Sequence, residues 1–311
     1  MKGAGMGLAS DWVSALDGVG AERPAWRRPQ SLALCFAGAF MYRRPGWFVN
    51  SGDLVRVLGQ AGVAERAART TVARMVERGL LVRERAGRRT YVGLTAHGRS
   101  ILREGDGRIQ RGPIVSRDGI IGRRWDGRWT LLGFSLPEAR RAERHLLRSR
   151  LVWEGFGCLQ DGLWIAAEEA DLDELTRGLD LDGHLRVFRS QLVEPADPAR
   201  MIAQVWDLAS VAERYEQFVQ RWEGAERSTE GREVLPRHLA MLSDWLDAVR
   251  GDPHVPLEYL PGDWPGVRAQ QVFSRVRAAF APRARTLAEE QLDWQPFEEK
   301  ATGQGSVQHG P

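Results

Sequence analysis

The sequence predicts an α+β multidomain chain: an N-terminal winged helix-turn-helix, a central ferredoxin-like βαββαβ domain and a helical C-terminal domain. Three observations carry this prediction. Within residues 51–95, two helical stretches flank a glycine-containing turn and a short hairpin follows. Residues 128–192 then alternate strand, helix, strand, strand, helix, strand, the order of a split βαβ unit. Beyond Pro198 the apolar spacing is helical throughout. At 311 residues the chain has room for two or three such units, each with its own core.

The expected boundaries are a flexible arm at 1–29, a winged helix at 30–110, linker and ferredoxin-like domain at 111–198, a helical domain at 199–300 and a disordered tail at 301–311. The arm ends in the Pro-punctuated "ERPAWRRPQ". A first helix at 31–41 is apolar on most faces and so buried. Ser51 is the expected N-cap of "GDLVRVLGQ", with Asp53 in the first turn, where the helix dipole favours an anion. After the turn "AGV", a second helix runs from Ala64 to Arg78 and stops at Gly79. "LLVRERAGRRTYVGLT" reads as two strands turning at Gly87, and a short helix at 96–103 closes the unit.

In the middle of the chain, "RWTLLGFSL" is an apolar strand and "PEARRAERHLLRSRLV" a Pro-started helix. "GFGCLQDGLWIAA" is a hairpin at its Asp-Gly, "EADLDELTRGL" a helix and "HLRVFRSQL" a strand. Helices at 200–223, 236–250 and 267–292 follow, the last two separated by the Pro-rich "GDPHVPLEYLPGDWPG".

Charge is segregated along the chain. Residues 24–124 hold 20 Arg, no Lys and 7 acidic residues, a net of +13. Residues 1–23 carry −1, so the whole-chain +3 leaves −9 for 125–311. A bias toward Arg (42 of the 44 basic residues) explains the choice of cation but not its placement. A localised basic block is the footprint of polyanion binding.

On a helical wheel, Ala64, Ala68, Val72, Met75 and Val76 fall on one side of the second helix. Arg66, Thr70, Ala73, Arg74 and Glu77 fall on the other, with Arg69 flanking. Glu65 and Arg69 form a favourable i,i+4 pair, whereas Arg74 and Arg78 are like-charged, which a purely structural surface would avoid. In a helix-turn-helix the second helix enters the major groove. Arginine suits that position because its planar fork bonds guanine O6 and N7 together, and threonine meets a thymine methyl or a base edge. Arg85, Arg88 and Arg89 at the hairpin turn are placed to grip phosphate or a minor groove. The partner expected from this pattern is double-stranded DNA.

The chain resembles the PaaX family, transcriptional repressors named for the control of phenylacetic acid degradation. The segments that carry the resemblance are "AARTTVARMVERGLLVRERAGRRTYVGLTAHG", "RWDGRWTLLGFSLPEARRAERHLLRSRLVWEGFGCLQDGLWIAA" and "DPHVPLEYLPGDWPG", in that order. The resemblance implies a winged helix, a ferredoxin-like middle domain like that of a small CRISPR-associated nuclease, and a helical C-terminal domain. It further implies a homodimer on a palindromic operator, released by phenylacetyl-CoA or a related thioester. Arg144 and Arg148, on the Arg-rich middle helix, are candidates for the phosphates of such an effector, and Trp264 for its aryl group. The plainer reading is a solvated helix and a core tryptophan.

Several other classes are not indicated. The longest apolar run, "LALCFAGAFM", is half of what a membrane helix needs, about 20 residues, so no membrane partner is expected. The N-terminus lacks a secretion signal, which predicts a cytoplasmic protein. Cys35 and Cys158 stand alone, and no histidine has metal-ligand spacing, so neither a metal nor a cofactor is expected. A nuclease would need carboxylates converging on an ion; the first middle strand offers Ser135 and then Glu138 but no Asp, so no catalysis is expected. The remaining rivals to a specific regulator are a metal-dependent nuclease and a non-specific architectural DNA binder.

Overall fold

The computed structural model describes residues 29–111, 115–116 and 123–297. The expected tail, the expected arm up to Arg28 and part of the expected linker lie outside these residues. The chain is a mixed α+β structure with two four-stranded antiparallel sheets.

The first helix, α1 (Pro29–Phe36), is buried from Ser31 onward and continues as a π-turn over Ala37–Met41. β1 (Trp47–Asn50) leads into α2 (Ser51–Gln60). The cap is Asn50 and not Ser51: the Asn50 carboxamide oxygen accepts from the N–H of Gly52 at 2.9 Å and Asp53 at 3.4 Å. Either residue could cap; the end of β1 brings Asn50 to the required extended backbone, and Ser51 is already helical.

The glycine turn has a definite geometry. Gly62 takes φ 97°, its N–H bonds to the Gly59 carbonyl and the Val63 N–H reaches back to Leu58. This paired closure, with glycine in the left-handed region, is a Schellman motif. It stops α2, and after four intervening residues, the last of them Ala64 at the N-cap position, α3 (Glu65–Glu77) starts. The same motif ends α3, where Gly79 has φ 70° and Leu80 bonds back to Met75.

β2 (Leu81–Ala86) and β3 (Arg89–Leu94) then pair in full register around Gly87 and Arg88. Gly87, at the first central position with φ 60°, meets the requirement of a type II′ hairpin turn. The following helix, α4 (Ala96–Arg111), is twice as long as expected. Thr95 opens it, its hydroxyl accepting from the Gly98 N–H at 2.8 Å.

A short parallel pair, β4 (Val115–Ser116) and β5 (Arg123–Arg124), precedes β6 (Trp129–Phe134). After a single 3₁₀ turn come α5 (Arg141–Trp153), the hairpin β7 (Gly157–Gln160) and β8 (Leu163–Ala166), α6 (Leu172–Thr176) and β9 (Leu185–Ser190). The sheet order is β7-β8-β6-β9, antiparallel throughout. Leu132, Phe134, Leu147, Leu151 and Trp164 fill the space between sheet and helices.

The helix expected at 200–223 is two helices, α7 (Pro198–Val205) and α8 (Leu208–Trp222). Trp206 is extended and donates its indole N–H to the Gly155 carbonyl at 3.2 Å, and Asp207 caps the restart by accepting from Ser210 N–H at 3.1 Å. α9 (Val234–Val249) and the 27-residue α10 (Pro265–Gln291) complete the helical part.

A strand that the sequence pattern did not reveal follows. β10 (Trp294–Pro296) pairs with β1, giving the first sheet the order β10-β1-β3-β2. One hydrophobic core accordingly runs from the N-terminal helices into the C-terminal ones. Leu32, Phe36, Leu58 and Met75 share it with Tyr215, Trp245, Phe273 and Phe280. Trp245 and Phe273 stack at its centre, ring centroids 4.3 Å apart, a pairing worth about 0.5–1.5 kcal/mol beyond its buried area. Among the described residues no helix is long and apolar enough to cross a membrane.

Candidate nucleic-acid interface

α3 buries Ala68, Val72 and Met75 and exposes Arg66, Arg69, Thr70, Arg74, Glu77 and Arg78. The division follows the wheel for these residues; Ala73 and Val76 are both half-buried, and Ala64, at the N-cap position, is exposed. The Arg69 guanidinium donates twice to the Glu65 carboxylate, at 2.9 Å from Nε and 2.6 Å from Nη2. The Thr70 hydroxyl donates to the Arg66 carbonyl at 2.9 Å, back along its own helix. Arg66 and Arg74 have no hydrogen-bond or ionic partner among the described residues. They stand two turns apart on one exposed face, two unneutralised cations on a rigid element.

The hairpin adds a second group. Arg83, Arg85, Arg88 and Arg89 are all exposed on β2, β3 or the turn between them. Arg85 and Arg88 are without a partner among the described residues. Arg89 is engaged: its Nη1 lies 2.8 Å from Asp293 Oδ2, and the Tyr91 hydroxyl donates to the same oxygen at 2.7 Å. These bonds hold the Asp293 carboxyl below the usual carboxylate range, the Tyr91 hydrogen bond first, and raise the Arg89 guanidinium further. Asp293 lies just before β10, 204 residues from Arg89 in sequence. No local pattern announces it, and both Asp293 and Tyr91 escaped the sequence reading.

The three residues singled out for an effector are not brought together. Arg144 bonds Glu138 at 3.0 Å and the Leu136 carbonyl at 3.0 Å, and Arg148 reaches Asp161 at 3.2 Å. Trp264 is buried edge-on against Tyr215 in the other core. None of them lines a cavity of about 840 Å³ between the entry to β6, the exit of β9 and the loop before α10. Its wall is aromatic, Trp125 meeting Trp129 and Tyr259 edge to face at 5.5 and 5.7 Å. Arg124 stands exposed at its rim, and Asp126 is neutralised by Arg189 at 2.7 Å.

Three family models match in succession: "PaaX-like protein" over residues 28–98, "PaaX protein central Cas2-like domain" over 122–202 and "PaaX-like protein C-terminal domain" over 206–290. The transcriptional repressor PaaX of Escherichia coli (strain K12) is 27% identical over 253 residues, covering 77% of this chain and 76% of that protein. Among solved structures, the uncharacterized protein Rv0674 from Mycobacterium tuberculosis superposes with a TM-score of 0.52 at 24% identity, over 82% of this chain and 96% of that one, and so shares its fold. With all three segments matched in order around a basic helix and hairpin, the chain belongs to the PaaX family.

Proposed function

We propose that this chain is a cytoplasmic, non-catalytic transcriptional repressor that binds operator DNA as a homodimer. In this reading α2, α3 and the β2–β3 hairpin form a winged helix-turn-helix, with α3 in the major groove. Arg66, Thr70 and Arg74 read base edges, Arg69 flanks them, Arg85 and Arg88 meet the backbone or minor groove, and Arg89 joins them only on leaving Asp293. The carrying observation is the face of α3: two outward arginines without partners among the described residues, flanking a threonine, on a helix preceded by one Schellman turn and ended by another. A relative named as a transcriptional repressor supports the same reading. The middle sheet order β7-β8-β6-β9 supports a ferredoxin-like arrangement.

We further propose an aryl-CoA thioester, such as phenylacetyl-CoA, as the small-molecule effector. The aromatic wall of the cavity beside β6 and the exposed Arg124 at its rim suit an aryl group with an anionic tail. This moves the expected contacts from Arg144, Arg148 and Trp264 to a different part of the fold. Release of DNA requires the effector to prefer a conformation with poorer half-site spacing, and recognition helices must sit about 34 Å apart to read one face of DNA. The test is a competition between duplex from upstream of the chain's own gene and random duplex of equal length, with and without phenylacetyl-CoA. Preference for the upstream duplex, lost with the thioester, is expected. Equal affinity for both duplexes would instead describe an architectural binder.

A further inference from the structure

The DNA-facing hairpin is not a free-standing wing. Asp293 is pinned beside it by its own main chain: its carbonyl accepts from Asn50 N–H at 2.8 Å, and its N–H donates to Asp53 Oδ2 at 2.8 Å. The other Asp53 oxygen holds Arg56 at 2.9 Å, and Arg56 also donates to the Gln291 carbonyl at 3.1 Å. Residues 291–293 are thus clamped to the first turn of α2 from both sides. Phe297, just past β10, packs on Phe48 and Tyr91 at 4.9 and 5.7 Å and covers the same sheet face. The Asp293 carboxylate is therefore presented at a fixed position, and it meets Arg89 and Tyr91 there.

We infer that Asp293 is an affinity-setting residue of the DNA interface, an intramolecular anion that occupies Arg89 in place of a DNA phosphate. The inference rests on the proposed DNA reading of this block. An exposed ion pair between two flexible side chains would count for little. Here one partner is already ordered by main-chain bonds, so little entropy is lost in holding the other. A phosphate approaching Arg89 meets a cation already neutralised, with a carboxylate 2.8 Å behind it. The three remaining hairpin arginines, Arg83, Arg85 and Arg88, have no such anion among the described residues. The far end of the chain thereby sets how many phosphates the wing can neutralise.

The experiment is a salt titration of DNA affinity for the wild type, Asp293→Asn and Asp293→Ala, on the full chain with random-sequence duplex. Both substitutions remove the charge and leave the main-chain bonds to Asn50 and Asp53, so the second serves if the first misfolds. One more phosphate neutralised steepens the slope of log K against log salt by about 0.9, on the order of fivefold tighter binding near 0.15 M salt. The gain is expected on upstream and random duplex alike, because phosphate contacts carry no sequence. It should vanish when Arg89→Gln is added. Unchanged or weaker binding in both Asp293 variants, or a gain that survives Arg89→Gln, overturns the inference. Arg66→Ala measured alongside on the upstream duplex separates the causes: if it weakens binding there while the Asp293 variants do nothing, only the role of Asp293 fails. If it too has no effect, the DNA reading itself fails.

Discussion

Glu65 holds Arg69 through two bonds to one carboxylate oxygen, at 2.9 and 2.6 Å, one turn apart on the exposed face of α3. Arg69 is therefore partly neutralised before DNA arrives, while Arg66 and Arg74 are not. Arg69→Ala is expected to weaken specific binding less than Arg66→Ala, for which a lost base contact costs about 1–3 kcal/mol. Fluorescence anisotropy of the two variants ranks them. Equal losses would mean that the pair with Glu65 opens on DNA.

The hairpin depends on a close approach at its base. A Cβ on Gly98 would lie 2.2 Å from the Leu80 carbonyl oxygen and 2.8 Å from Leu94 Cδ1. Backbone cannot yield as a side chain tip can, so Gly98→Ala should cost about 1–3 kcal/mol. Urea denaturation reads this as a lower midpoint at constant slope. A midpoint equal to the wild type would contradict the packing described.

Trp294 ties the last strand to the first helix. Its ring stacks on Phe36 with centroids 6.4 Å apart, and its indole N–H donates to the Ala288 carbonyl at 2.8 Å. Trp294→Ala should destabilise by about 2 kcal/mol or more, below the range for a fully buried tryptophan because this one is half-buried. Because the core is shared, calorimetry should show the N-terminal and C-terminal helices melting together. A low-temperature transition confined to the N-terminal unit would argue against one core.

Buried titratable groups set a pH dependence. Burial pushes Asp244 and Asp252 up to about 6, and pushes His238 down to about 4 with help from Arg277 and Arg285. From about pH 4 to 6 the folded chain keeps protons on the two carboxylates that the unfolded chain has released, so their contribution to stability falls as pH rises. His238 works the other way: the unfolded chain binds its proton and the folded chain does not, so its contribution grows up to the ordinary imidazole range. Asp252→Asn removes one falling contribution; its single amide oxygen keeps an acceptor for the His254 N–H, and its NH2 group can donate to the Tyr215 hydroxyl oxygen in place of the bond that hydroxyl gave. Its melting temperature relative to wild type should improve between about pH 4.5 and pH 7. A difference independent of pH would show that Asp252 titrates alike in both states.

What could be read in advance was what the chain decides locally. The Glu65–Arg69 pair, the stop at Gly79 and the turn at Gly87 each depend on residues within a few positions, and each stands where periodicity placed it. The sequence reading was weaker where neighbours compete: Asn50 caps α2 because the strand end suits it, and Trp206 with Asp207 divides an otherwise continuous helical pattern. It could not reach β10, the Asp293–Arg89 bond or the partners of Arg144 and Arg148. β10 and Asp293 arrive from the far end of the chain, and three residues of strand carry no periodic signal. The partners of Arg144 and Arg148 lie 6 to 13 residues away across turns whose geometry no periodicity sets.

The central claim is that α3 reads sequence. The measurement that tests it most directly is the ratio of affinities for upstream and scrambled duplex, compared between wild type and the Arg66→Ala, Arg74→Ala double variant. The account predicts a ratio well above one that collapses toward one in the variant, with the loss falling mainly on the upstream duplex. A ratio unchanged by the two substitutions would contradict it, and would place base recognition on another element of the chain.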